Sequence, residues 1–438
     1  MVNGTSIRCD LAESRPDRVP VAVTGVGAVT ALGIGAEATF AALCDGRNGI
    51  REISAWKAAG FPVTYGGVVD GLGDLATDPL YQRYRSRKAV FAARALEEAL
   101  AQSGGPAHLR HGRGGIFLGI EIGRPAIARM FALFQQAGTP QGLDATAFGE
   151  RCFQYLTTGE VLAKQPFFLA GLIGRLAGAT GAEARSISNG CSSANQAIGE
   201  AYRKIAAGHL DWAITGGADD MVDEYMAIGF HLLGALATGL PPETASRPFD
   251  LGRRGFVLGE GAGLLVLEAL PRALARGAVP LALIAGYGAG ATAQKITETT
   301  WEGIYQTMAA ALAEGRCAPG DIDYINAHGT GTAMNDPAET RAIKELFGAG
   351  AAQVPISSTK SMVGHLIAAA GAVEAVVCVQ SIRQGRLHPT RNLQRRDPAC
   401  DLDFISEGAR FRPVHRVLSN SLGFAGINST LLFAAPPG

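Results

Sequence analysis

One property of this sequence restricts its fold more than any other: the same series of elements occurs in it twice. An apolar, β-type run followed by a glycine turn opens each series, and a long segment of helical periodicity comes next. Another β-type run, a second helix and a final β-type run complete each series. The corresponding segments are 23–27 with 283–288, 115–119 with 322–326, the helix after Cys191 with the helix after His365, and 213–217 with 418–421. We therefore expect two similar halves.

Short apolar runs alternate with helix-period segments along the whole chain, which predicts an α/β fold. The boundary between the halves is expected near residue 280, which gives an N-terminal half, 1–280, and a C-terminal half, 281–438. The helices that follow Cys191 and His365 should then pack back to back in the middle. The first half is longer because of an insertion near 124–165 that carries several aromatic residues. Such an insertion is more often a cap or a subunit interface than a cofactor site.

Composition excludes several classes of function. Basic and acidic residues are equal in number, 39 of each, so the overall charge gives no reason to expect a nucleic acid or an anionic membrane as partner. The apolar runs are too short or too rich in small residues to span a membrane. Seven scattered cysteines without CxxC spacing argue against disulfides and a structural metal site. These features predict a cytoplasmic protein.

Cys191 lies at a predicted turn from a strand, 184–188, into a helix that begins with small residues. Unpaired backbone N–H groups and the helix dipole at such a turn favour the thiolate form, which is the nucleophilic form of cysteine. Two histidines follow downstream, His328 in His-Gly-Thr-Gly-Thr and His365 in Met-Val-Gly-His. A thiol and two proton-handling groups can therefore converge. The other six cysteines lack a comparable setting and are interpreted as packing or surface residues.

These motifs resemble those of the β-ketoacyl-acyl carrier protein synthases, the elongating condensing enzymes of the thiolase fold. The resemblance covers nearly the whole length and rests on motifs in family order. They are Val-Thr-Gly-Val-Gly-Ala-Val-Thr at 23–30, Asn-Gly-Cys-Ser-Ser around Cys191, Arg-Pro-Phe-Asp at 247–250, Gly-Phe-Val-Leu-Gly-Glu-Gly-Ala-Gly at 255–263, His-Gly-Thr-Gly-Thr at 328–332, Lys360, His365, and Gly-Phe-Ala-Gly-Ile-Asn at 423–428. It implies a thiolase-like α/β fold with two pseudo-repeated halves in five layers, α-β-α-β-α.

The resemblance also implies the reaction. Cys191 takes an acyl group from a thioester, malonyl on an acyl carrier protein loses CO2, and the carbanion attacks the acyl group to give a 3-oxoacyl thioester. His328 and His365 stabilise the enolate, acting through Nε2. Lys360 orients the site with Glu339 as its ion-pair partner. The backbone N–H groups of Cys191 and Phe424 form an oxyanion hole, and the Phe424 side chain is a gate to the acyl pocket.

No bound cofactor or metal is implied, since the phosphopantetheine arm arrives on the carrier protein. The expected partners are the carrier protein, malonyl and acyl thioesters, and a second subunit. That subunit is either identical or resembles a chain-length factor. A basic patch should receive the acidic carrier protein, and four residues at the start of a predicted helix are its candidates: Arg83, Arg85, Arg87 and Lys88. A solvated helix face is the alternative interpretation of these four.

The chain departs from the family pattern mainly around the expected acyl pocket, whose candidate residues are Glu121, Ile122 and Leu422. Leu422 replaces a second phenylalanine, Ala425 replaces a glycine, and Glu121 occupies a turn that usually holds small residues. Arg254 occupies a position that is usually acidic, and Gly234 a position where many relatives have an arginine used in docking. These departures put the acyl chain in doubt, not the catalytic set.

Three functions remain at this point. The first is a discrete ketosynthase of type II fatty-acid or polyketide and polyene biosynthesis. The second is a non-catalytic chain-length partner, which normally lacks the nucleophile that this chain retains at Cys191. The third is an acyltransferase without decarboxylation, against which the two histidines argue.

Overall fold

A computed structural model of the chain describes residues 18–124, 126–292 and 299–437. The predictions made for residues 1–17, Pro125, 293–298 and Gly438 lie outside this part. Its strands are β1 Val21–Thr30, β2 Gly33–Ile34, β3 Ile50–Glu52, β4 Tyr65–Gly67, β5 Gly114–Gly119, β6 Gly138–Thr139, β7 Gly142–Leu143, β8 Glu183–Ile187, β9 Trp212–Asp220, β10 Glu260–Ala269, β11 Ala282–Gly290, β12 Tyr324–Asn326, β13 Ile356–Ser357, β14 Arg386–Leu387, β15 Arg410–Phe411, β16 Arg416–Leu422 and β17 Asn428–Ala434.

The helices in the same part of the chain are α1 Ala36–Cys44, α2 Ser54–Ala58, α3 Pro79–Tyr84, α4 Arg87–Gln102, α5 Ile127–Gln136, α6 Ala145–Tyr155, α7 Thr158–Ala163, α8 Phe168–Leu176, α9 Ser193–Ala206, α10 Glu224–Leu232, α11 Pro242–Ala245, α12 Leu270–Ala275, α13 Trp301–Glu314, α14 Asn335–Phe347, α15 Lys360–Val363 and α16 Ala370–Gln384. Short 3-10 turns precede α9 and α16, at Gly190–Ser192 and Ile367–Ala369.

The large sheet has a mirror order. Its strands run β8-β5-β9-β10-β1 and then β11-β17-β16-β12-β13. In each series the two outer pairings are parallel and the two inner pairings are antiparallel. The series join where Val21–Val23 of β1 pairs with Ala282–Ile284 of β11. The strands that correspond in the sequence occupy equivalent places in the two series: counted from the join, β1 and β11 come first, β9 and β16 third, and β5 and β12 fourth.

Helices form three layers around these strands. Helices α9 and α16 contact each other and strands of both series, so they form the central layer. Helix α4 packs on β1, β9 and β10, and α13 packs on β11 and β17, so these two lie on the outer faces. Every residue of α16 from Ala370 to Ser381 is buried, as expected of a helix enclosed between the two series of strands. The predicted five-layer thiolase-like fold is confirmed. That 1–280 and 281–438 are separate domains stays a prediction.

The glycines of the repeated opening segments are not in turns. Gly25 lies inside β1 beside a register shift, and Gly286 lies at the equivalent shift in β11. A Cβ on Gly25 would come within 2.1 Å of the Ala99 carbonyl oxygen in α4, and one on Gly286 within 2.2 Å of the Ala311 carbonyl oxygen in α13. Both glycines therefore allow an outer helix to approach the sheet closely. The interpretation of 23–27 as a strand followed by a turn was wrong for this reason.

The insertion forms α5, the β6–β7 hairpin, α6 and α7. Several of its aromatic side chains are exposed, with Phe153 at 91% and Phe131 at 62%. No helix in the described ranges is both long and apolar enough to cross a membrane.

Candidate active site

Cys191 occupies the connection between β8 and α9. The 3-10 turn Gly190–Ser192 carries it, and α9 begins two residues later. The Ser193 hydroxyl donates to the Gly190 carbonyl at 2.7 Å and accepts from the Asn189 backbone N–H at 2.8 Å, which fixes the turn. The thiol is 7% exposed. A reactive side chain is thus held on a rigid connection next to the central layer.

The two histidines come from the other half of the sequence. His365 lies between α15 and α16, and His328 follows β12. His365 Nε2 is 3.0 Å from Cys191 Sγ, and the rings of His328 and His365 are nearly perpendicular with centroids 5.3 Å apart. Both histidines are buried, at 2% and 1% exposure. The three side chains that the sequence singled out therefore meet at one point between the two halves.

The hydrogen bonds of His365 decide which ring nitrogen carries its proton. The Ile367 backbone N–H donates to His365 Nδ1 at 3.2 Å. Burial and the nearby Lys360 hold the pKa of His365 well below its usual value, so the ring is neutral near pH 7. A neutral imidazole has one N–H, and since Nδ1 accepts, that N–H is on Nε2 and points at Sγ. His365 is therefore a hydrogen-bond donor at this site.

Cys191, His328 and His365 also have the composition of a metal site. One donor atom from each lies within 4.8 Å of the others. Histidines that bind metals almost always donate their second ring N–H to a neighbouring acceptor. His365 Nδ1 instead accepts a hydrogen bond from Ile367. The arrangement fits proton donation toward a substrate oxygen better than metal ligation.

A cavity of about 380 Å³ connects this cluster to the surface. His328 and His365 line it together with the thiol, and Phe424 and Leu422 form part of its wall. Phe424 is 39% exposed and its ring lies 6.4 Å from that of Phe230. Ala425, next to it, has a φ of 59°, a conformation that costs an L-residue about 1 kcal/mol and that glycine adopts freely.

Comparison with known proteins places the chain in a family. A model described as "Beta-ketoacyl synthase, N-terminal domain" matches residues 18–273, and one described as "Beta-ketoacyl synthase, C-terminal domain" matches residues 281–394. The chain belongs to the β-ketoacyl synthase family. Members of this family are acyltransferases, and the predicted enzyme class is confirmed.

The individual proteins that the chain resembles are also synthases and ketosynthases. A 3-oxoacyl-[acyl-carrier-protein] synthase 2 of Coxiella burnetii is 36% identical over 94% of this chain and 98% of its own length. Among solved structures, the ishigamide ketosynthase/chain length factor matches with a TM-score of 0.83 and 32% identity, over 96% of this chain and all of that one. A type II polyketide ketosynthase in complex with its acyl-carrier protein matches with the same score and coverage at 29% identity.

Lys360 of this β-ketoacyl synthase forms its ion pair with a residue that the sequence analysis missed. Its Nζ donates to Glu374 in α16, and both side chains are 2% exposed. The predicted pairing of Lys360 with Glu339 was wrong. Glu374 is the only charged residue in the buried run 366–379, and a lone charge in such a run signals that a buried partner must exist.

Glu339 has a different task in the synthase. Its carboxylate accepts the backbone N–H groups of His328 at 2.8 Å and Gly329 at 2.9 Å, and the side-chain amide of Asn420 at 3.1 Å. Burial raises the pKa of this carboxyl group, although the same hydrogen bonds act in the opposite direction. Glu339 therefore positions the loop that carries His328 and does not neutralise Lys360.

The ion pair of Lys360 gives a test of stability. Changing Lys360 to Met leaves the Glu374 carboxylate buried without a partner, and we expect the free energy of unfolding to fall by about 3–5 kcal/mol. Adding Glu374→Gln should recover most of this loss, whereas adding Glu339→Gln should not. Denaturant unfolding of the three variants measures both effects. Recovery by the Glu339 change alone would contradict the assigned pair.

The thiol of Cys191 in the synthase is not deprotonated before substrate binds. Burial raises the pKa of Cys191 to about 12, and the positive charge of Lys360 lowers it only in part. The backbone N–H at the turn lowers the pKa, as expected for this position, but the loss of water at a 7% exposed sulfur is the larger effect. Cys191 thus keeps its proton near pH 7 and loses it during acyl transfer.

Alkylation measures whether Cys191 is a thiol or a thiolate near pH 7. Below the pKa, the thiolate fraction rises about tenfold per pH unit. We expect the rate at which iodoacetamide modifies Cys191, followed by mass of the Cys191 peptide, to keep rising from pH 7 to pH 10. A plateau beginning near pH 7 would mean that the thiolate is already formed there.

Two of the four docking candidates have internal partners. Arg87 is paired with buried Glu260, and Lys88 is 3% exposed with its Nζ 3.6 Å from Asp219 and 3.7 Å from Asp220. The assignment of Lys88 to a carrier-protein surface was wrong, because its side chain is buried against these two carboxylates. Arg87 is partly exposed, so its assignment stays a prediction. Arg83 and Arg85 are exposed and remain available.

The three acyl-pocket candidates lie in different places. Leu422 lines the cavity beside Cys191, as predicted from the resemblance. Glu121 and Ile122 are not part of that wall in the described structure. The Glu121 backbone carbonyl accepts from Lys88 Nζ at 2.6 Å and its carboxylate accepts from the Ser188 hydroxyl at 3.3 Å, while Ile122 is 51% exposed.

Proposed function

We propose that this β-ketoacyl synthase uses Cys191 to carry the acyl chain, and His328 and His365 to decarboxylate malonyl held on an acyl carrier protein. One observation carries the assignment: Sγ and the N–H of His365 Nε2 face each other at 3.0 Å in a cavity that His328 also lines. No bound cofactor or metal has a step in this scheme.

Acylation is the first half-reaction. Cys191 Sγ attacks the carbonyl carbon of an acyl thioester, and the carbon–sulfur bond to the donor breaks. The thiol proton ends on the departing donor sulfur, so the step needs no permanent base. The N–H of His365 Nε2 stabilises negative charge on Sγ while the proton is in transit. A thiol serves here because it is both a good nucleophile and a good leaving group.

Condensation is the second half-reaction. The carbon–carbon bond to the malonyl carboxylate breaks, CO2 leaves, and the electron pair forms an enolate on the thioester oxygen. Neutral imidazoles at His328 and His365 can donate N–H groups to that oxygen without adding a full positive charge. The enolate carbon then attacks the acyl carbonyl, the bond from that carbon to Cys191 Sγ breaks, and the departing thiolate takes a proton from water. The backbone N–H groups of Cys191 and Phe424 are proposed to hold the second oxyanion.

The alternative functions differ in the residues that they need. A chain-length partner has no use for an acylated thiol, and here the thiol faces a donor in a cavity. A non-decarboxylating acyltransferase needs a base for its acceptor, whereas His365 presents an N–H toward the thiol. Both observations favour the condensing function.

The experiment supplies the protein with malonyl-loaded carrier protein and a panel of acyl donors, and follows enzyme and product by mass. We expect an acyl adduct on Cys191 and then a 3-oxoacyl carrier protein longer by two carbons. An enzyme that becomes acylated on Cys191 but extends none of the acyl groups would contradict the proposal. The same panel identifies the acyl chain that is preferred.

A second subunit is part of the proposal. Strand β8 is the last strand of its series and pairs only with β5 within the described sheet. Helix α8 packs on β8, and the exposed residue Phe167 precedes α8. Edge strands next to exposed apolar side chains favour pairing with another chain. We propose a two-subunit assembly through this face.

The assembly is tested by sedimentation. We expect the protein to sediment at twice the mass of its 45.4 kDa chain. Phe167→Asp should shift it toward the single chain, because a desolvated carboxylate is costly in an apolar interface. Phe411→Asp, at a side chain that is 74% exposed on β15, should leave the mass unchanged. A wild-type protein that sediments as one chain, or that needs a different partner chain for activity, would contradict pairing of identical subunits.

A further inference from the structure

Among the residues that the structure describes, the wall of the active-site cavity carries one permanent charge. Arg254 is the only residue in the described wall that is charged near pH 7, since burial keeps both wall histidines neutral. Its neighbours at the mouth are apolar: Leu233 is 58% exposed and Met334 is 48% exposed. An isolated cation in an apolar mouth favours an anion at that depth.

The structure gives the Arg254 side chain no partner. Among the described residues it makes no ion pair and no hydrogen bond, and it is exposed. The adjacent Arg253 is different: its guanidinium is ion-paired with Asp397 and donates to the Thr332 carbonyl at 3.0 Å. Gly234, on the same cavity wall, has no side chain that could take over a charged contact. Arg253 thus has a structural role, and the charge of Arg254 is left for a ligand.

We propose that Arg254 binds the phosphodiester of the phosphopantetheine arm as the arm enters the cavity. This inference rests on the proposed function, because it requires that the substrate arrives on such an arm. A guanidinium suits a phosphodiester, since its planar N–H groups can donate to two phosphate oxygens at once. The same contact would limit how deeply the arm enters and so place its thioester near the buried histidines.

The substrate has a second anion, the malonyl carboxylate. The depth of each anion in the cavity decides which of them Arg254 binds. Decarboxylation must occur where the enolate oxygen can reach His328 and His365, which are both nearly fully buried. Arg254 is exposed, so it lies toward the mouth of the cavity and not among the buried rings. The carboxylate therefore belongs to the inner end, and the phosphodiester to the end where Arg254 lies.

The test compares two small substrates that differ only in the phosphate, malonyl-phosphopantetheine and malonyl-pantetheine. We expect Arg254→Ala to lower the ratio of kcat/KM for malonyl-phosphopantetheine to kcat/KM for malonyl-pantetheine about tenfold. This is the usual scale for one hydrogen-bonded ion contact. Arg254→Lys should lower the ratio less, because it keeps the charge but not the planar pair of donors. Arg254→Asp should lower it more. Arg110→Ala, at an exposed arginine outside the cavity wall, is the matched control.

Each outcome decides between specific claims. An unchanged ratio in Arg254→Ala would overturn the phosphate contact. If both kcat/KM values fell by the same factor, the ratio would also be unchanged, and the loss would indicate a contact with the carboxylate or a structural role. Wild-type enzyme that condenses neither substrate nor malonyl-loaded carrier protein would instead overturn the proposed function. Thermal unfolding of each variant establishes that a loss does not come from a misfolded protein.

Discussion

Changing Cys191 to Ala is expected to abolish formation of the 3-oxoacyl product while CO2 release from malonyl-loaded carrier protein continues. Without the sulfur no acyl group can be held, and we expect condensation to fall by roughly 10³-fold or more. Decarboxylation needs only the enolate donors, which the substitution leaves in place. Product mass and CO2 release, measured on the same sample, separate the two effects.

The other buried thiols supply the control for this change. Cys44 in α1 is buried, and burial raises its pKa to about 11, but it is not part of the cavity wall in the described structure. Cys44→Ala should leave condensation near the wild-type rate. If Cys191→Ala still condensed, or if it lost CO2 release together with condensation, Cys191 would not have the separate role assigned to it.

Changing His328 or His365 to Ala is expected to suppress CO2 release. Each ring supplies an N–H toward the oxygen on which charge develops, and loss of one such donor typically costs about 10²–10³ in rate. Acylation of Cys191 should fall less than CO2 release in His328→Ala, because His365 is the ring that lies against Sγ. Intact-protein mass measures the acylation, and released CO2 measures the decarboxylation.

A conservative change sharpens the result for His365. His365→Gln can place a side-chain N–H near the former Nε2, so it should retain more decarboxylation than His365→Ala. His111→Ala, at an exposed ring outside the described cavity wall, is the control for loss of a histidine. Equal CO2 release from the Ala variants and the wild type would contradict the donor role of the pair.

The sequence predicted the fold and the reactive cluster because both depend on the order of elements. Each half places its central helix after its outermost strand, and Cys191 and His365 lie at the starts of these helices. Once the repeat was recognised, the meeting of thiol and imidazoles followed from topology. The structure confirms the meeting and adds the distance, 3.0 Å between Sγ and Nε2.

Most of the wrong predictions concern the partners of charged groups. Lys360 was paired with Glu339 rather than Glu374, and Lys88 was placed on the surface although two aspartates of β9 surround it. Sequence distance does not show which carboxylate lies within reach of a long flexible side chain. The pKa of Cys191 was misjudged for a related reason, because burial at one sulfur depends on the packing of both halves.

The most direct test of the whole account is CO2 release from malonyl-loaded carrier protein by Cys191→Ala compared with Cys191→Ala/His365→Ala. Removing the sulfur from both proteins excludes any contribution from acylation. The account predicts that the first protein releases CO2 and that the second releases it about 10²-fold or more slowly. Equal release by the two proteins would contradict the claim that His365 acts on the malonyl group in the same cavity that holds Cys191.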